Sequence, residues 1–130
     1  MTKADIFVSG AHPYKLSAEV KFIGADLLVV VSGGDAPHIC SVAVALPRPS
    51  LHNRMIMSAT SSVYNLPGHK DQVIAQRVSE ALASRLNCTV VATAGFHQDG
   101  ISREGIKRVL ENAEKLAEKI STSLKKMKHT

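Results

Sequence analysis

The chain contains no tryptophan and few aromatic residues of any kind. Aromatic side chains make up 4% of its 130 residues, whereas hydrophobic residues in total make up 45%. That content excludes a disordered chain, and the core must be filled by aliphatic side chains. A chain of this length is large enough to bury such a core without disulfides or metals. We therefore expect a single domain over residues 1–130.

Cysteine is equally scarce. Cys40 and Cys88 are the only two cysteines, and they form no C-x-x-C pair. Each lies in a strand-like run, where a buried thiol behaves as a small hydrophobic group. A disulfide framework is therefore not expected, and the reducing cytoplasm is the expected compartment.

Signals for export or membrane insertion are not recognisable either. The acidic Asp5 precedes any apolar stretch, which is unlike a secretory signal peptide. Apolar runs such as residues 27–31 are far shorter than the roughly 20 residues that cross a bilayer. We expect no membrane association.

Positive charge exceeds negative charge, but mainly in one segment. The net charge is +5, and residues 103–130 hold eight Lys or Arg against four Asp or Glu. The most basic part is the C-terminal end, residues 121–130. Cations at a helix C-terminus are favoured by the helix dipole, and no nucleic-acid motif is recognisable. We therefore interpret this end as a solvated helix terminus and expect no nucleic-acid partner.

Hydrophobic periodicity predicts an α+β fold. Asn87 is expected to end a first helix in a left-handed conformation, and Ser102 to cap a second one. Strands followed by helices favour a mainly antiparallel sheet of about six strands with two helices packed on one face. The predicted strands cover residues 6–8, 16–22, 27–31, 39–46, 55–64 and 88–94, and the predicted helices cover residues 71–86 and residue 103 onward.

Polar residues that are capable of ligand binding or catalysis are concentrated in the predicted connections. Alternate connections of an antiparallel sheet lie at the same end, so several of these loops can meet at one rim. The candidate site residues are Gly33, Gly34, Pro37, His38, Arg48, Gly68, His69, Lys70, His97 and Asp99.

Three kinds of chemistry are compatible with these residues. The donor types for a metal are present in His38, His69, His97 and Asp99, but no HxH, HExxH or CxxC spacing supports a metal site. Anion binding is favoured by residues 68–70, which open a helix. Catalysis lacks a recognisable motif such as GxSxG.

Structural explanations compete with each functional one. A residue of 68–70 can simply cap the helix. Arg48, held between Pro47 and Pro49, suits a bidentate anion contact but can equally be solvated. Gly33 and Gly34 allow a ligand close to the backbone, and they also suit a tight, bulged connection.

Four segments, taken in order, resemble a known family. They read SGGDAPHIC at residues 32–40, LPRPS at 46–50, GHKD at 68–71 and AGFHQDGIS at 94–102. Together they resemble the LpdD-like prenylated flavin chaperones, small D subunits associated with hydroxyarylic acid decarboxylases. The resemblance extends over roughly residues 16–120. Cys40 departs from the pattern, in which a small residue such as Gly is expected.

This resemblance implies a non-catalytic helper protein. Such a protein binds prenylated FMN, or FMN, and matures the large subunit of a UbiD-type decarboxylase. The resemblance also implies a fold similar to that of the proteasome assembly chaperones and a homo-oligomer. A scaffold subunit that binds no flavin, and a small metal-dependent enzyme, remain the alternatives.

The candidate residues can be distributed over such a cofactor. Arg48 and residues 68–70 suit the phosphate. Gly33, Gly34, Pro37 and His38 suit a wall against the ring system. His97 and Asp99 suit its polar edge.

Overall fold

Six strands and two helices form the parts of the chain that the computed structural model describes, residues 5–66 and 72–128. In chain order they are β1 (Asp5–Ser9), β2 (Leu16–Ile23), β3 (Asp26–Gly34), β4 (Ser41–Pro49), β5 (Met57–Asn65), α1 (Gln72–Leu86), β6 (Val90–His97) and α2 (Arg103–Lys128).

The strands form one sheet in the order β1-β2-β3-β6-β4-β5. Four of its strand pairs are antiparallel, and β3 with β6 is parallel. The parallel pair arises because β4, β5 and α1 intervene in the chain before β6 enters beside β3. The predicted mainly antiparallel α+β fold is confirmed. Its least predictable feature is that β6 separates β3 from β4.

Both helices pack on the same face of the sheet, as the sequence predicts. The core alternates along the strands, so Val29, Ala43 and Ala92 are fully buried beneath Leu82 of α1 and Leu116 of α2. These side chains are aliphatic, in keeping with the absence of tryptophan. Removal of this apolar surface from water provides the main favourable term in folding.

The opposite side of the sheet carries no helix in the described chain, and we call it the open face. Residues that alternate with the core positions point to this side. They remain partly accessible to solvent, and those at the centre of the sheet are mostly apolar. At its centre lie Leu28, Val30, Val42, Val44, Val91 and Thr93.

Helix ends follow the sequence signals. Asn87 has a φ of 52° immediately after α1, and the backbone N–H of Gly105 donates to Ser102 Oγ at 3.0 Å at the start of α2. Glu104 and Arg108 lie 3.9 Å apart on the outer side of α2. No helix within residues 5–66 and 72–128 is long and apolar enough to cross a membrane.

Several strand boundaries differ from the prediction. β5 begins at Met57 rather than residue 55, and β6 covers Val90–His97 rather than residues 88–94, so that His97 ends the strand instead of following it. β3 continues through Gly33 and Gly34, because these residues pair with Phe96 and His97 of β6. β4 begins at Ser41 and continues to Pro49. Its two prolines are tolerated because β4 pairs with β6 only over residues 41–45, so the later residues have a neighbour strand on one side only.

The backbone at Asn87 yields a stability prediction. Replacing Asn87 with Ala places a Cβ-bearing residue of low left-handed tendency at positive φ, so the free energy of unfolding should fall by about 1 kcal/mol. Asn87→Gly should change it by less than about 0.5 kcal/mol, because glycine adopts this conformation freely. Urea denaturation measures both. Ser84→Ala in α1 is the control and should cause no loss. Equal losses for the two Asn87 variants would contradict the prediction.

Candidate functional site

The segment between β3 and β4 crosses over the end of β6. At one side the N–H of Asp35 donates to the carbonyl of His97 at 2.7 Å, and at the other the N–H of Cys40 donates to that of Ala94 at 2.9 Å. Gly95 lies beneath the crossing, where any Cβ would collide with the carbonyl of His38. The segment is therefore not a hairpin turn but a bridge over the central strand.

His38 is held at this bridge by two contacts. Its Nδ1 lies 2.8 Å from the carbonyl oxygen of Ala36, and its Nε2 lies 2.6 Å from Cys40 Sγ. A neutral ring satisfies both, with Nδ1–H donating to the carbonyl and Nε2 accepting from the thiol. The ring is thus oriented by its own loop while part of it remains accessible.

His97 meets His38 at the end of β6. The two ring centroids lie 6.1 Å apart with an interplanar angle of 67°. His97 Nε2 also lies 2.8 Å from Asp99 Oδ1, and the two side chains are 51% and 88% exposed. The fold therefore brings together three predicted site residues, which we call the histidine rim: His38, His97 and Asp99.

The two glycines beside the rim have packing reasons of their own. Gly34 has a φ of 85°, and a Cβ there would collide with the backbone of His97. A Cβ on Gly33 would collide with the carbonyl of Lys15. Close backbone approach thus explains both without a ligand. Pro37 is exposed in the bridge itself.

Arg48 lies at the other end of the sheet. It is seven residues beyond Ser41 along β4, which corresponds to about 23 Å of extended strand. Its Nε donates to Thr60 Oγ1, and its Nη1 donates to the carbonyl of Pro49 at 3.1 Å. Within one chain, Arg48 and the histidine rim do not form a single site.

Gly68, His69 and Lys70 lie outside the described residues. The neighbouring Leu66 donates its N–H to the carbonyl of Cys40 at 2.8 Å. Within the described stretches, no three of His, Cys, Asp and Glu are placed to hold a metal ion. Both cysteines are buried and form no disulfide, as the sequence predicts.

Two residues at the rim were not among the predicted site residues. Cys40 contacts His38 directly. The amide oxygen of Gln98 is buried and accepts no hydrogen bond from the described residues. The signal for Gln98 was its position between His97 and Asp99, and for Cys40 its position two residues after His38.

Comparison with known proteins extends this description. The family model described as the prenylated flavin chaperone LpdD-like domain matches residues 10–125. The chain belongs to this family. Over 119 residues it is also 27% identical to Protein LpdD of Lactiplantibacillus plantarum. The aligned residues cover 88% of this chain and 80% of that relative. The family supports a chaperone role, and the resemblance read from the four segments is confirmed.

The histidine rim suits the ring of a flavin better than its phosphate. A flavin ring is flat, largely apolar on its faces, and has N–H donors and carbonyl acceptors along one edge. In this LpdD-like protein the small residues Ser32 and Gly34 lie beside the rim, the apolar centre of the open face lies further along the strands, and His97 and Asp99 offer polar groups. Gln98 adds a buried acceptor in need of a donor. These residues fit the ring, whereas Arg48 is too distant to serve a phosphate in the same chain.

The crossing at Gly95 can be tested directly. Gly95→Ala should reduce the free energy of unfolding by about 1–3 kcal/mol, because the new methyl group pushes the bridge away from β6. The ring proton NMR signals of His38 and His97 should shift with it. Ser32→Ala, at the paired position on β3, adds no atoms and serves as the control. If Gly95→Ala left both the free energy of unfolding and the NMR signals of the two histidines unchanged, this account would be contradicted.

Proposed function

We propose that this chain binds prenylated FMN, or FMN, and delivers it to the large subunit of a UbiD-type hydroxyarylic acid decarboxylase. In this role the chain is a non-catalytic chaperone. The observation that carries the proposal is the meeting of the His38 and His97 rings at the end of β6, in a chain of the LpdD-like family.

Each part of the rim has a task in this proposal. His97 and Asp99 hydrogen-bond the polar edge of the ring system. Pro37 and His38, raised above β6 by the bridge that crosses Gly95, form a wall against the ring together with Gly33 and Gly34. Gly68, His69 and Lys70 remain the proposed phosphate contacts of the same chain. The cofactor supplies the reactive ring for decarboxylation in the enzyme, while the residues here bind and shield it.

The proposed compartment is the cytoplasm. Both cysteines are thiols, and Cys40 is only 1% exposed. Thiols without a disulfide framework are usual in reducing compartments. A large decarboxylase subunit is the proposed partner because a chaperone of a cofactor needs a recipient for it.

Flavin titration tests the proposal. The purified chain should bind prenylated FMN saturably in calorimetry and absorbance, and more tightly than FMN. His97→Ala and His38→Ala should each weaken binding roughly three- to tenfold, the value of one hydrogen bond or wall contact. His129→Ala, beyond α2, is the matched control and should bind as the unmodified chain does.

The outcomes separate the alternatives. If the folded chain binds no flavin yet associates with the decarboxylase subunit, the protein is a scaffold subunit and not a flavin chaperone. Flavin binding that is insensitive to both rim histidines would place the cofactor elsewhere on the protein. Riboflavin in place of FMN isolates the phosphate, and Lys70→Ala should reduce the preference for FMN over riboflavin.

A further inference from the structure

We infer that two copies of this chain associate through their open faces, so that each copy completes the site of the other. The starting observation is the exposure of apolar side chains on a sheet surface without a helix. Val30 and Val44 are 38% and 39% exposed at its centre, and Leu46 and Tyr64 are 55% and 68% exposed nearer the β5 edge. Contiguous apolar surface of this kind is characteristic of an interaction site.

The area of the open face is that of a stable protein interface. Five of the six strands have eight or nine residues. With a spacing of about 4.8 Å between strands and a rise of about 3.3 Å per residue, the sheet measures roughly 800 Å². Stable complexes bury about 800 Å² on each partner. Covering this face requires a partner of similar extent, which a second copy provides.

The strand register shows that the face is complementary to itself. A line of paired core residues runs across the sheet through Val29, Ala92 and Ala43. Two rows of open-face residues flank that line. The first row is Glu19, Val30, Thr93, Val42 and Tyr64, and the second row is Lys21, Leu28, Val91, Val44 and Ser62.

A two-fold axis along that line exchanges the two rows. The apolar centre of one copy then packs on the apolar centre of the other, in the aligned arrangement of stacked sheets. Glu19 of each copy faces Lys21 of the other, because the two residues flank the line on the same strand. Such an isologous interface closes after two copies.

The same axis resolves the separation of Arg48 from the histidine rim. His97 lies five residues after Ala92 on β6, and Arg48 lies five residues after Ala43 on the antiparallel β4. They are therefore at opposite ends of one sheet and equally far from the line. Exchange of the ends brings Arg48 of one copy to the end of the interface that holds the rim of the other.

This arrangement deepens the proposed function and rests on it in one respect only. The dimer itself depends on the open face and requires no ligand. The phosphate contact from Arg48 of the second copy requires that a flavin is bound at the rim. A guanidinium suits a phosphate because it can donate two parallel hydrogen bonds.

Sedimentation equilibrium tests the dimer without a ligand. The unmodified chain should be a dimer at micromolar concentration. Val44→Asp, at the centre of the face, should convert it to a monomer, whereas Ile106→Asp, at a residue that is 47% exposed on α2, should leave it dimeric. A chain that stays monomeric up to millimolar concentration would overturn the inference, as would equal behaviour of the two variants.

Charge reversal tests the two-fold geometry. Glu19→Lys and Lys21→Glu should each weaken the dimer at least about tenfold, because like charges then face each other twice. An equimolar mixture of the two variants should form heterodimers, since every facing pair is again opposite in charge. The double variant should regain the affinity of the unmodified chain. If the dimer affinity were unchanged in all of these variants, this two-fold axis would be excluded.

The contribution of Arg48 is tested with FMN against riboflavin. Arg48→Ala should remain dimeric but lose about tenfold of the preference for FMN, the effect of one charged hydrogen-bonding contact. The monomeric Val44→Asp variant should lose the same preference although its own Arg48 is intact. If either Arg48→Ala or Val44→Asp kept the full preference for FMN over riboflavin, the shared site would be overturned. If no flavin binds to the unmodified chain, the proposed function fails while the dimer measurement stands.

Discussion

The pairing of β6 with strands on both of its sides is the constraint on which the rest of the structure depends. β6 is hydrogen-bonded to β3 in parallel and to β4 in antiparallel register. The chain leaving β3 cannot turn directly into β4, since β6 occupies the position between them. It must cross the end of β6, and this crossing needs a residue without a Cβ beneath it, which Gly95 provides.

The crossing also explains why polar chemistry is concentrated at one end of the sheet. His38 lies on the bridge and His97 ends the strand below it, so the two rings meet although they are far apart in sequence. Hydrogen bonds from Asp35 and Cys40 attach the two sides of the bridge to β6. The rim is thus supported by backbone pairing rather than by a long flexible loop. Such support holds the side chains in place before a ligand binds, which favours binding.

A second consequence follows from the placement of both helices on one face. One side of the sheet forms the core, and the other remains an extended surface with an apolar centre, beside which Glu19 and Lys21 lie on β2. A chaperone of the LpdD-like family needs a place for a cofactor and a means of protecting it from water. In our proposal the rim performs the first task, and the second copy that covers the open face performs the second.

Much of the fold could be predicted from the sequence, because local signals act within a few residues. Alternation along residues 16–22, the apolar stripe of α2, the left-handed Asn87 and the Ser102 cap are all consequences of neighbouring residues. The family was also recognisable from four short segments in order. The order of strands in the sheet was not, because the insertion of β6 between β3 and β4 depends on long-range packing that no local pattern encodes.

For the site, the sequence by itself determined which side chains have suitable chemistry, including His38, His97 and Asp99. The tertiary structure decided which of them meet. It united these three at one strand end and placed Arg48 about 23 Å along β4 from Ser41. It also showed that Gly33 and Gly34 are required by close backbone packing. The physical reason is that composition and spacing describe what each residue can do, whereas strand direction and register determine where it lies.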